Sequence, residues 1–254
     1  MGYAAGAVMV IISASLVFSA ASARAESTIV QNGTVSVNHE NSSVTISGQT
    51  VTVDTSADAG RVVGNGQRAS EAWSIGAVSA INADGAFAIT IKIGAPPGLT
   101  IETDKNLLPI VKTDISNGRL DIYTDRSYSV DGRINVTVTS PNVAEISASG
   151  SNHINGEGLT GANLSISLNG SNNAVLVGHV SAVTVQMSGA NHLSAQRLVA
   201  DSANVTVNGA GNATVDARQR LIAEISGAGS ITVYGNPKQR RTQVNGAGRI
   251  SFVR

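Results

Sequence analysis

Residues 185–193 read Val-Gln-Met-Ser-Gly-Ala-Asn-His-Leu, and segments of this kind occur six times between residues 146 and 250. Successive central glycines are separated by 20, 19, 20, 18 and 19 residues. A fixed period of about twenty residues is typical of a stacked array in which each copy forms one structural unit. The central glycines are Gly150, Gly170, Gly189, Gly209, Gly227 and Gly246.

Apolar residues occupy two fixed positions in every copy, one two residues before the central glycine and one four residues after it. Polar residues alternate with them, which is the two-residue period of a strand with one buried face. We therefore expect both positions to face a common core. The first position holds Ala148, Leu168, Met187, Val207, Ile225 and Val244, and the second holds Ile154, Ala174, Leu193, Ala213, Ile231 and Ile250.

The residue two positions after the central glycine is always asparagine or glycine. These residue types adopt a positive φ most readily, so the pattern predicts a tight corner with a left-handed residue at that position. The central glycine is expected to avoid a Cβ clash at the same corner. We expect the polar corner residues to form ladders along the outside of the stack, where an asparagine bonds its copy one coil away. These corner residues are Asn152, Asn172, Asn191, Gly211, Gly229 and Gly248.

One such unit is too small to bury its own apolar face, whereas a stack of copies buries that face continuously. The repeat therefore predicts an all-β fold, a right-handed parallel β-helix or β-solenoid, with coils of about 19–20 residues. An antiparallel β-sandwich also shows alternation and regular turns. The even spacing and the match from position to position favour the solenoid.

The N-terminal part of the chain precedes the repeat. Residues 1–25 have the form of a secretory signal peptide, with an apolar run followed by the small-x-small sequence Ala23-Arg24-Ala25. Residues 26–72 are predicted to be a β-rich extension and a linker, because the end of this stretch has no period. The strands of the extension are predicted from alternating bursts at 34–38, 43–47 and 50–54.

The domain itself is predicted to span residues 73–254, with regular repeats from 146 to 252. Its first part shows no glycine-centred repeat but contains four alternating segments. We expect these strands to continue the same core as longer, irregular coils and to cap one end of the solenoid. A cap is needed because an open end exposes strand edges. The basic segment Lys238–Arg241 is expected to seal the other end. The four alternating segments are residues 86–94, 99–104, 119–125 and 134–140.

Composition argues against several classes of function. Loss of the signal peptide removes one of 17 basic residues, Arg24, and none of the 17 acidic residues, so the remaining chain is close to neutral. A nucleic-acid binder has a strongly basic surface instead. The sequence contains no cysteine, so it has no disulfide and no thiolate metal site. Beyond the signal peptide, no apolar stretch is long enough to span a membrane.

Residues with catalytic or metal-binding potential do not converge in the repeat pattern. The acids do not share one repeat position, and Glu145 and Glu157 are the pair that could meet near the first corner. His153 and His192 share a position two coils apart, which places them about 10 Å from each other, too far to bind one metal ion. We therefore expect no catalytic residue, no cofactor and no metal site. The basic residues of the last coils, expected to form a charged end cap, are Arg218, Arg220, Lys238, Arg240 and Arg241.

From Trp73 to Arg254 the sequence resembles a family of bacterial exported proteins called putative auto-transporter adhesin, head GIN domain. The resemblance implies a β-helical exported domain with an adhesin-like role. It rests on the order of the segments AFAITIKIG (86–94), NLLPIV (106–111), NGRLDIYTD (117–125), VTVTSPNVAEISASGSN (136–152) and GAGSITVYGNPKQ (227–239). The family's corners are followed by an acidic residue, whereas this sequence has His153, Asn173, His192, Asn212, Ser230 and Arg249 there.

Three functions are compatible with these features. The first is an exported, non-enzymatic solenoid of the adhesin type, which resides in the periplasm or at the cell surface and binds an envelope or extracellular glycan or protein. The second is an enzyme that acts on polysaccharides, which would need an acidic cluster in one groove. The third is a structural envelope protein that binds a protein partner through an exposed apolar patch. Fold alone does not choose among them.

Overall fold

In the computed structural model of the chain, residues 61–253 are described, together with the backbone of residues 43–46 and 49–52. The chain divides into two compact units, and the second begins at Val62. In the first unit, strands β1 (Ser43–Ile46) and β2 (Gln49–Thr52) pair antiparallel as a hairpin. They correspond to two of the three strands predicted there. The predicted signal peptide, residues 1–25, and the predicted strand at 34–38 lie outside the described residues.

The second unit consists almost entirely of strands. One 3-10 helix, Leu108–Ile110, interrupts them. No helix among the described residues is long and apolar enough to cross a membrane. In chain order, the strands are β3 (Val62–Val63), β4 (Arg68–Ser74), β5 (Ala80–Gly85), β6 (Phe87–Ile93), β7 (Gly98–Asp104), β8 (Val111–Ser116), β9 (Arg119–Thr124), β10 (Tyr128–Ser129), β11 (Ile134–Ser140), β12 (Glu145–Gly150), β13 (His153–Gly170), β14 (Asn173–Gly189), β15 (His192–Gly209), β16 (Asn212–Gly227), β17 (Ser230–Tyr234), β18 (Gln239–Asn245) and β19 (Arg249–Phe252).

Parallel pairing that keeps one register across each corner makes the C-terminal part a β-solenoid, which confirms the fold predicted from the repeat. Before the corner, Ala148 lies beside Leu168, and Leu168 lies beside Met187 in the next coil. After the corner, Ala174 lies beside Leu193. Strands β13 to β16 contain 16 to 18 residues because each continues from one glycine corner to the next.

The two predicted inward positions form the core. In the five repeats before the last, the residues two before the glycine are at most 1% exposed and those four after it are at most 3% exposed. Each large aliphatic side chain removed from water in this way stabilises the fold by about 1.5–3 kcal/mol. The last repeat differs, because no described coil covers it. Val244 is 41% exposed there, and Ile250 is half-buried.

A further coil lies in the part of the sequence where no repeat was visible. Strands β5 and β6 pair in parallel with β12 and β13, and Gly85 lies beside Gly150. Ala83 and Ile89 occupy its two inward positions, and Phe87 stands where asparagine stands in the following coil. The stack of coils therefore extends upstream of residue 146, into the segment where the sequence shows no glycine-centred repeat. The period is lost because the residues of the cap are inserted between this coil and the next.

These inserted residues build the cap, as the sequence predicted. The strand segments before and after the corner form two faces of the solenoid, which we call its two sheets. In the first sheet β9 pairs in parallel with β5, and in the second β11 pairs in parallel with β6. Antiparallel strands then complete both sheets, with β8 beside β9, β7 beside β11 and β4 beside β7. Because antiparallel strands reverse the direction of the coils, the parallel stack ends there.

Residues 62–72 are part of this domain, and their prediction as a linker is wrong. Strand β3 pairs with β10, and β4 is the outermost strand of one sheet. The carboxylate of Asp104 accepts a hydrogen bond from the N–H of Gly66 at 2.9 Å and so holds the loop between β3 and β4. The sequence did not predict β4 because six of its seven residues are exposed, which leaves no alternating apolar pattern.

Candidate functional site

The central glycines turn the chain at each corner. Their φ values lie between +98° and +128°. The preceding coil is so close that a Cβ added to Gly189 would lie 2.4 Å from the carbonyl oxygen of Gly170. The N–H of Ala190 donates to that same oxygen at 2.8 Å, so the hydrogen-bond ladder between coils passes through the corner. Both the left-handed backbone and the close approach require glycine at this position.

The residue two positions after the glycine does not adopt the predicted left-handed conformation. Among the non-glycine residues that the structure describes, only Asn117 has a positive φ. Asn152, Asn172 and Asn191 are 0%, 2% and 1% exposed, so they lie inside the solenoid and not on its outside. They are an even number of residues from the glycine, as are the apolar inward positions. The two-residue period therefore continues through the corner.

These buried asparagines form a ladder that joins successive coils. The Oδ1 of Asn172 accepts hydrogen bonds from the backbone N–H and the Nδ2 of Asn152, both at 2.9 Å. The Oδ1 of Asn191 accepts the equivalent pair from Asn172, and the N–H of Phe87 donates to the Oδ1 of Asn152 at 3.0 Å. The Nδ2 of Asn172 also donates to the carbonyl oxygen of Asn169 at 2.8 Å. Because these amide atoms have partners, the amides are stable in the core.

Glycine replaces asparagine at this position in the later coils for a steric reason. Gly211, Gly229 and Gly248 do not have a positive φ. A Cβ on Gly211 would lie 2.9 Å from both the carbonyl oxygen of Asn191 and the Cε of Met187. One on Gly229 would lie 2.5 Å from the carbonyl oxygen of Gly211 and 2.8 Å from the Cγ1 of Val207. The backbone and an apolar side chain of the preceding coil therefore leave no room for a side chain at these positions.

The histidine pair lies where the repeat predicted it. His153 and His192 stand in one column, with Asn173 between them. All three side chains are exposed. Among the described residues, no group of three or more His, Cys, Asp or Glu side chains is arranged to hold a metal ion.

Glu145 and Glu157, the two acids that could have come together near the first corner, have different partners. Glu145 lies before the corner in β12, and its carboxylate is 3.3 Å from the guanidinium of Arg119. Glu157 lies after the corner in β13, beside Lys92, and its carboxylate accepts a hydrogen bond from Asn155 at 3.2 Å. The two carboxylates thus belong to different sheets and to different hydrogen-bond networks.

The outward side of the strand segments before the corner carries a grid of uncharged polar side chains, which we call the polar face. Its three columns cross three coils, about 4.8 Å apart between coils and about 6.6 Å apart along each strand. Within the described part of the chain, none of these nine side chains makes a hydrogen bond to another residue. The polar face consists of Ser165, Ser167, Asn169, Thr184, Gln186, Ser188, Asn204, Thr206 and Asn208.

The outward side chains after the corner differ, because several of them bond one another. The Thr214 hydroxyl donates to the Gln196 Oε1 at 3.1 Å, and the Ser230 hydroxyl donates to the Asn212 Oδ1 at 2.6 Å. The Ser194 hydroxyl also donates to Gln196. The polar face is therefore the side of the solenoid with more hydroxyl and amide groups available to a ligand.

Most of the polar face lies within one stretch of the sequence that contains no acidic residue, lysine or arginine, which we call the belt. From Gly158 to Gln196 the sequence has no Asp, Glu, Lys or Arg. Apart from His179 and His192, the polar side chains of this belt offer a ligand hydrogen bonds but no formal charge. Ligands that depend on ion pairs for their affinity thus find no partner there.

A network of paired charges borders the polar face on the side of the cap. The Arg119 guanidinium lies 3.3 Å from the carboxylates of both Asp121 and Glu145. Tyr123 stands next to them, and its hydroxyl donates to the Oδ2 of Asp114 at 3.0 Å. Because this hydrogen bond and the negative charge of Asp114 both favour the protonated phenol, they raise the pKa of Tyr123.

The basic residues of the last coils do not form the single end cap that the sequence predicted. Arg240 does lie at the end, with its guanidinium 4.4 Å from the centre of the Phe252 ring and its Nε donating to the Pro237 carbonyl at 2.8 Å. Arg241 is in register with Ile222, on the outward side of the segment before the corner. The pairing of strands separates these two residues because neighbours in one strand point to opposite sides.

The other three basic residues line a groove formed by the last coils, which we call the end groove. Its volume is about 590 Å³, and every residue that lines it is polar. Sequence reasoning grouped these residues only by their proximity in the chain, and their common groove depends on the register of β16 with β18. The lining residues are Asp201, Ser202, Arg218, Gln219, Arg220, Lys238 and Gln239.

Comparisons with known proteins agree with this architecture. A family model described as putative auto-transporter adhesin, head GIN domain, matches residues 78–237. The fold is similar to that of a putative adhesin from Bacteroides fragilis NCTC 9343, with a TM-score of 0.58 and 19% identity over 76% of this chain and 100% of that chain. A putative adhesin from Parabacteroides merdae ATCC 43184 has a TM-score of 0.50 and 20% identity over 77% of this chain and 100% of that chain. No curated protein sequence matches the chain.

Proposed function

Because the chain belongs to the family described as putative auto-transporter adhesin, head GIN domain, we propose that it is an exported, non-enzymatic binding domain of the adhesin type. Its partner is a neutral glycan of the envelope or the cell exterior, and the polar face binds that glycan. Family membership supports a role in binding an external partner. The choice of glycan and of surface rests on the chemistry of the polar face.

The observation that supports a neutral glycan is the supply of unpaired, uncharged hydrogen-bonding groups on the polar face. Hydroxyl and amide side chains both donate and accept hydrogen bonds, and they match the hydroxyl groups of a sugar in both roles. An ionic ligand would need opposite charges, which the belt from Gly158 to Gln196 lacks. An apolar ligand would gain little from a surface built of Ser, Thr, Asn and Gln.

The regular grid favours a polymer over a single sugar. One neutral hydrogen bond contributes about 0.5–1.5 kcal/mol net, so a monosaccharide held by one or two such bonds dissociates readily. A polysaccharide that crosses three coils forms several bonds, and each later bond benefits from a high effective concentration. We therefore expect retention of a polysaccharide and little affinity for its free monosaccharide.

Removal of the middle row of the polar face is expected to weaken glycan binding about tenfold or more, because three hydrogen-bonding side chains are lost at about 0.5–1.5 kcal/mol each. The variant is Thr184→Ala/Gln186→Ala/Ser188→Ala in the full chain. Its affinity is measured by retention on a panel of immobilised neutral polysaccharides, a β-glucan, a mannan and a galactan. All three positions are exposed, so the fold should be retained.

The matched control removes three exposed polar side chains from the other side of the corner, as Asn173→Ala/His192→Ala/Asn212→Ala. We expect this variant to bind as the unaltered chain does. Equal losses in both variants would contradict the assignment to the polar face. Failure of the unaltered chain to bind any polysaccharide of the panel would contradict the neutral glycan itself.

The non-enzymatic part of the proposal is tested in the same samples. Glycoside hydrolysis commonly uses two carboxyl groups about 5–9.5 Å apart on either side of the scissile bond. The separate partners of Glu145 and Glu157 support a function without hydrolysis. Free reducing ends should therefore stay constant during incubation. An increase above that seen with heat-denatured protein would show the domain to be an enzyme.

A further inference from the structure

We propose that the end groove is a second binding site, which takes an acidic polysaccharide by its carboxylate or sulfate groups. The groove is formed by residues of the segment that leads from one corner to the next and by the turn before β18, so it shares no residue with the polar face. Its ligand is chemically different as well. The inference therefore stands independently of the neutral glycan.

Charge is distributed unevenly along the described chain. Between Arg197 and Val253 there are seven Lys and Arg residues against three Asp and Glu residues. Between Arg61 and Gln196 the balance is reversed, with eight basic and ten acidic residues. A chain that is neutral as a whole thus has a basic C-terminal end. A locally positive surface raises the local concentration of anionic ligands and speeds their association.

The cations of the end groove are held in position by the protein. The Nη2 of Arg218 lies 2.9 Å from the Oδ2 of Asp216, a carboxylate whose side chain is only 9% exposed. The Nε of Arg220 donates to the Oε1 of Gln239 at 3.0 Å. Each contact orients a guanidinium while most of its five N–H donors stay free. Oriented guanidinium groups bind carboxylate or sulfate oxygens with little further loss of side-chain entropy.

Lys238 completes the positive lining. Within the described chain it has no hydrogen-bond or ion-pair partner, so its ammonium group is available to a ligand. The one acid on the groove wall, Asp201, accepts a hydrogen bond from the Nε2 of Gln219 at 3.4 Å. Three cations, one of them paired with Asp216, against the carboxylates of Asp201 and Asp216 leave a net charge of +1 at the groove. Its volume of about 590 Å³ lies within the range of sites that bind small ligands or a short stretch of polymer.

A role for these residues as an end cap does not account for their positions. Arg240 fulfils that role, since it stacks on Phe252 and bonds the turn at Pro237. Arg218 and Arg220 belong to β16, which is covered by β18 in the following coil. Strand edges need protection only at the last coil. Edge protection thus does not account for Arg218 and Arg220, whereas Lys238 stands directly before β18 in the last coil.

The shape and lining of the groove favour a polysaccharide over a membrane surface. A bilayer is a broad surface, and proteins that bind it insert apolar side chains beside their basic residues. The end groove is concave and its lining contains no apolar residue. Ser202, Gln219 and Gln239 offer hydrogen bonds between the cations, which suits a sugar that carries both hydroxyl and acidic groups.

The test compares two variants of equal charge in the full chain. Arg220→Gln/Lys238→Gln removes two cations from the groove and leaves the Arg218–Asp216 pair intact. Lys92→Gln/Lys105→Gln removes two exposed cations elsewhere. Binding is measured to polygalacturonate, to dextran sulfate and to uncharged dextran, at several salt concentrations. Vesicles of phosphatidylglycerol are included as a second anionic surface.

We expect the unaltered chain to bind one or both acidic polymers, with an affinity that falls as salt increases. The groove variant should lose about tenfold or more of this affinity, because two charge-assisted contacts are removed. The control variant should stay within about twofold of the unaltered chain, since exposed charges far from a ligand are screened. Lys238→Glu, in an exposed turn, gives the same test if the double variant folds poorly.

Several results would overturn the assignment. Equal losses in the groove and control variants would show that net charge, and not the end groove, attracts the polymers. Binding to the vesicles without binding to either acidic polymer would identify a membrane as the partner. Absence of binding to every anionic probe would leave the groove without a ligand of this class. None of these results bears on retention by neutral polysaccharides.

Discussion

Replacement of Gly189 by alanine is expected to lower the free energy of unfolding by about 3 kcal/mol or more. The left-handed backbone costs a residue with a Cβ about 1–2 kcal/mol. The added Cβ would also lie 2.4 Å from the carbonyl oxygen of Gly170, so two coils must move apart at a cost of about 1–3 kcal/mol. Urea or thermal unfolding, followed by circular dichroism, measures the loss.

Gly132 provides the matched control for the corner glycine. Its φ is +93°, close to the +98° of Gly189, but a Cβ there would have no atom within 4 Å. Gly132→Ala should therefore lose only the backbone cost of about 1–2 kcal/mol. If both variants lost the same stability, the contact between coils would not be what requires glycine at the corner.

Replacement of Asn172 by leucine is expected to lower the free energy of unfolding by about 3 kcal/mol or more. Leucine has a similar size, so the effect comes from the hydrogen bonds and not from a cavity. The change leaves the backbone N–H of Asn152, one of the two Nδ2 hydrogens of Asn152 and the carbonyl oxygen of Asn169 without their partner. A buried polar group that loses its partner costs about 1–3 kcal/mol. The same unfolding experiment measures this loss.

The adjacent residue, Asn173, serves as the control for the ladder. It is an asparagine in the same coil, but its side chain is exposed. Asn173→Leu should change the stability by about 0.5 kcal/mol or less, as is usual for surface substitutions. Comparable losses in Asn172→Leu and Asn173→Leu would mean that the ladder contributes little, and that leucine perturbs the strand wherever it is placed.

The predicted and observed positions of Asn172 differ for an instructive reason. Its polarity and its tolerance of positive φ suggested an exposed corner. Its distance from Gly170 has the same parity as that of the apolar residue Ala174, which indicates the inside. The parity of the position therefore indicates the observed inward direction of the side chain, whereas its polarity does not. A polar side chain is stable inside only where its atoms have partners, and those partners belong to coils that are about twenty residues away in sequence.

The coil at Gly85 shows the limit of a periodic signal. Ala83 and Ile89 follow the repeat pattern on both sides of this glycine, but the next corner, at Gly150, comes only after the cap. A period needs several evenly spaced copies to be visible. One copy displaced by an insertion is recognised only when pairing in the folded chain places it beside the others.

The sequence predicted the residues of the candidate sites less completely than it predicted the residues of the core. Ser167, Gln186 and Thr206 alternate with core residues in the sequence, a pattern that is consistent with their outward direction. It did not distinguish them from the outward side chains beyond the corner, which bond one another in the folded chain. The basic residues were grouped by sequence and are separated by register, with Arg240 at the end and Arg220 in the groove.

The sequence by itself determined the stacked β architecture, the apolar inward residues of the regular repeats and the glycines at their corners. These features follow from a repeat of about twenty residues and an alternation of two, which are local properties of the chain. Tertiary structure alone decided which groups in neighbouring coils meet. The contacts between coils give the buried asparagines their partners, leave the side chains of the polar face unpaired and form the end groove. The physical reason is the register between coils, because the alignment of one coil on the next brings together residues that no local pattern relates.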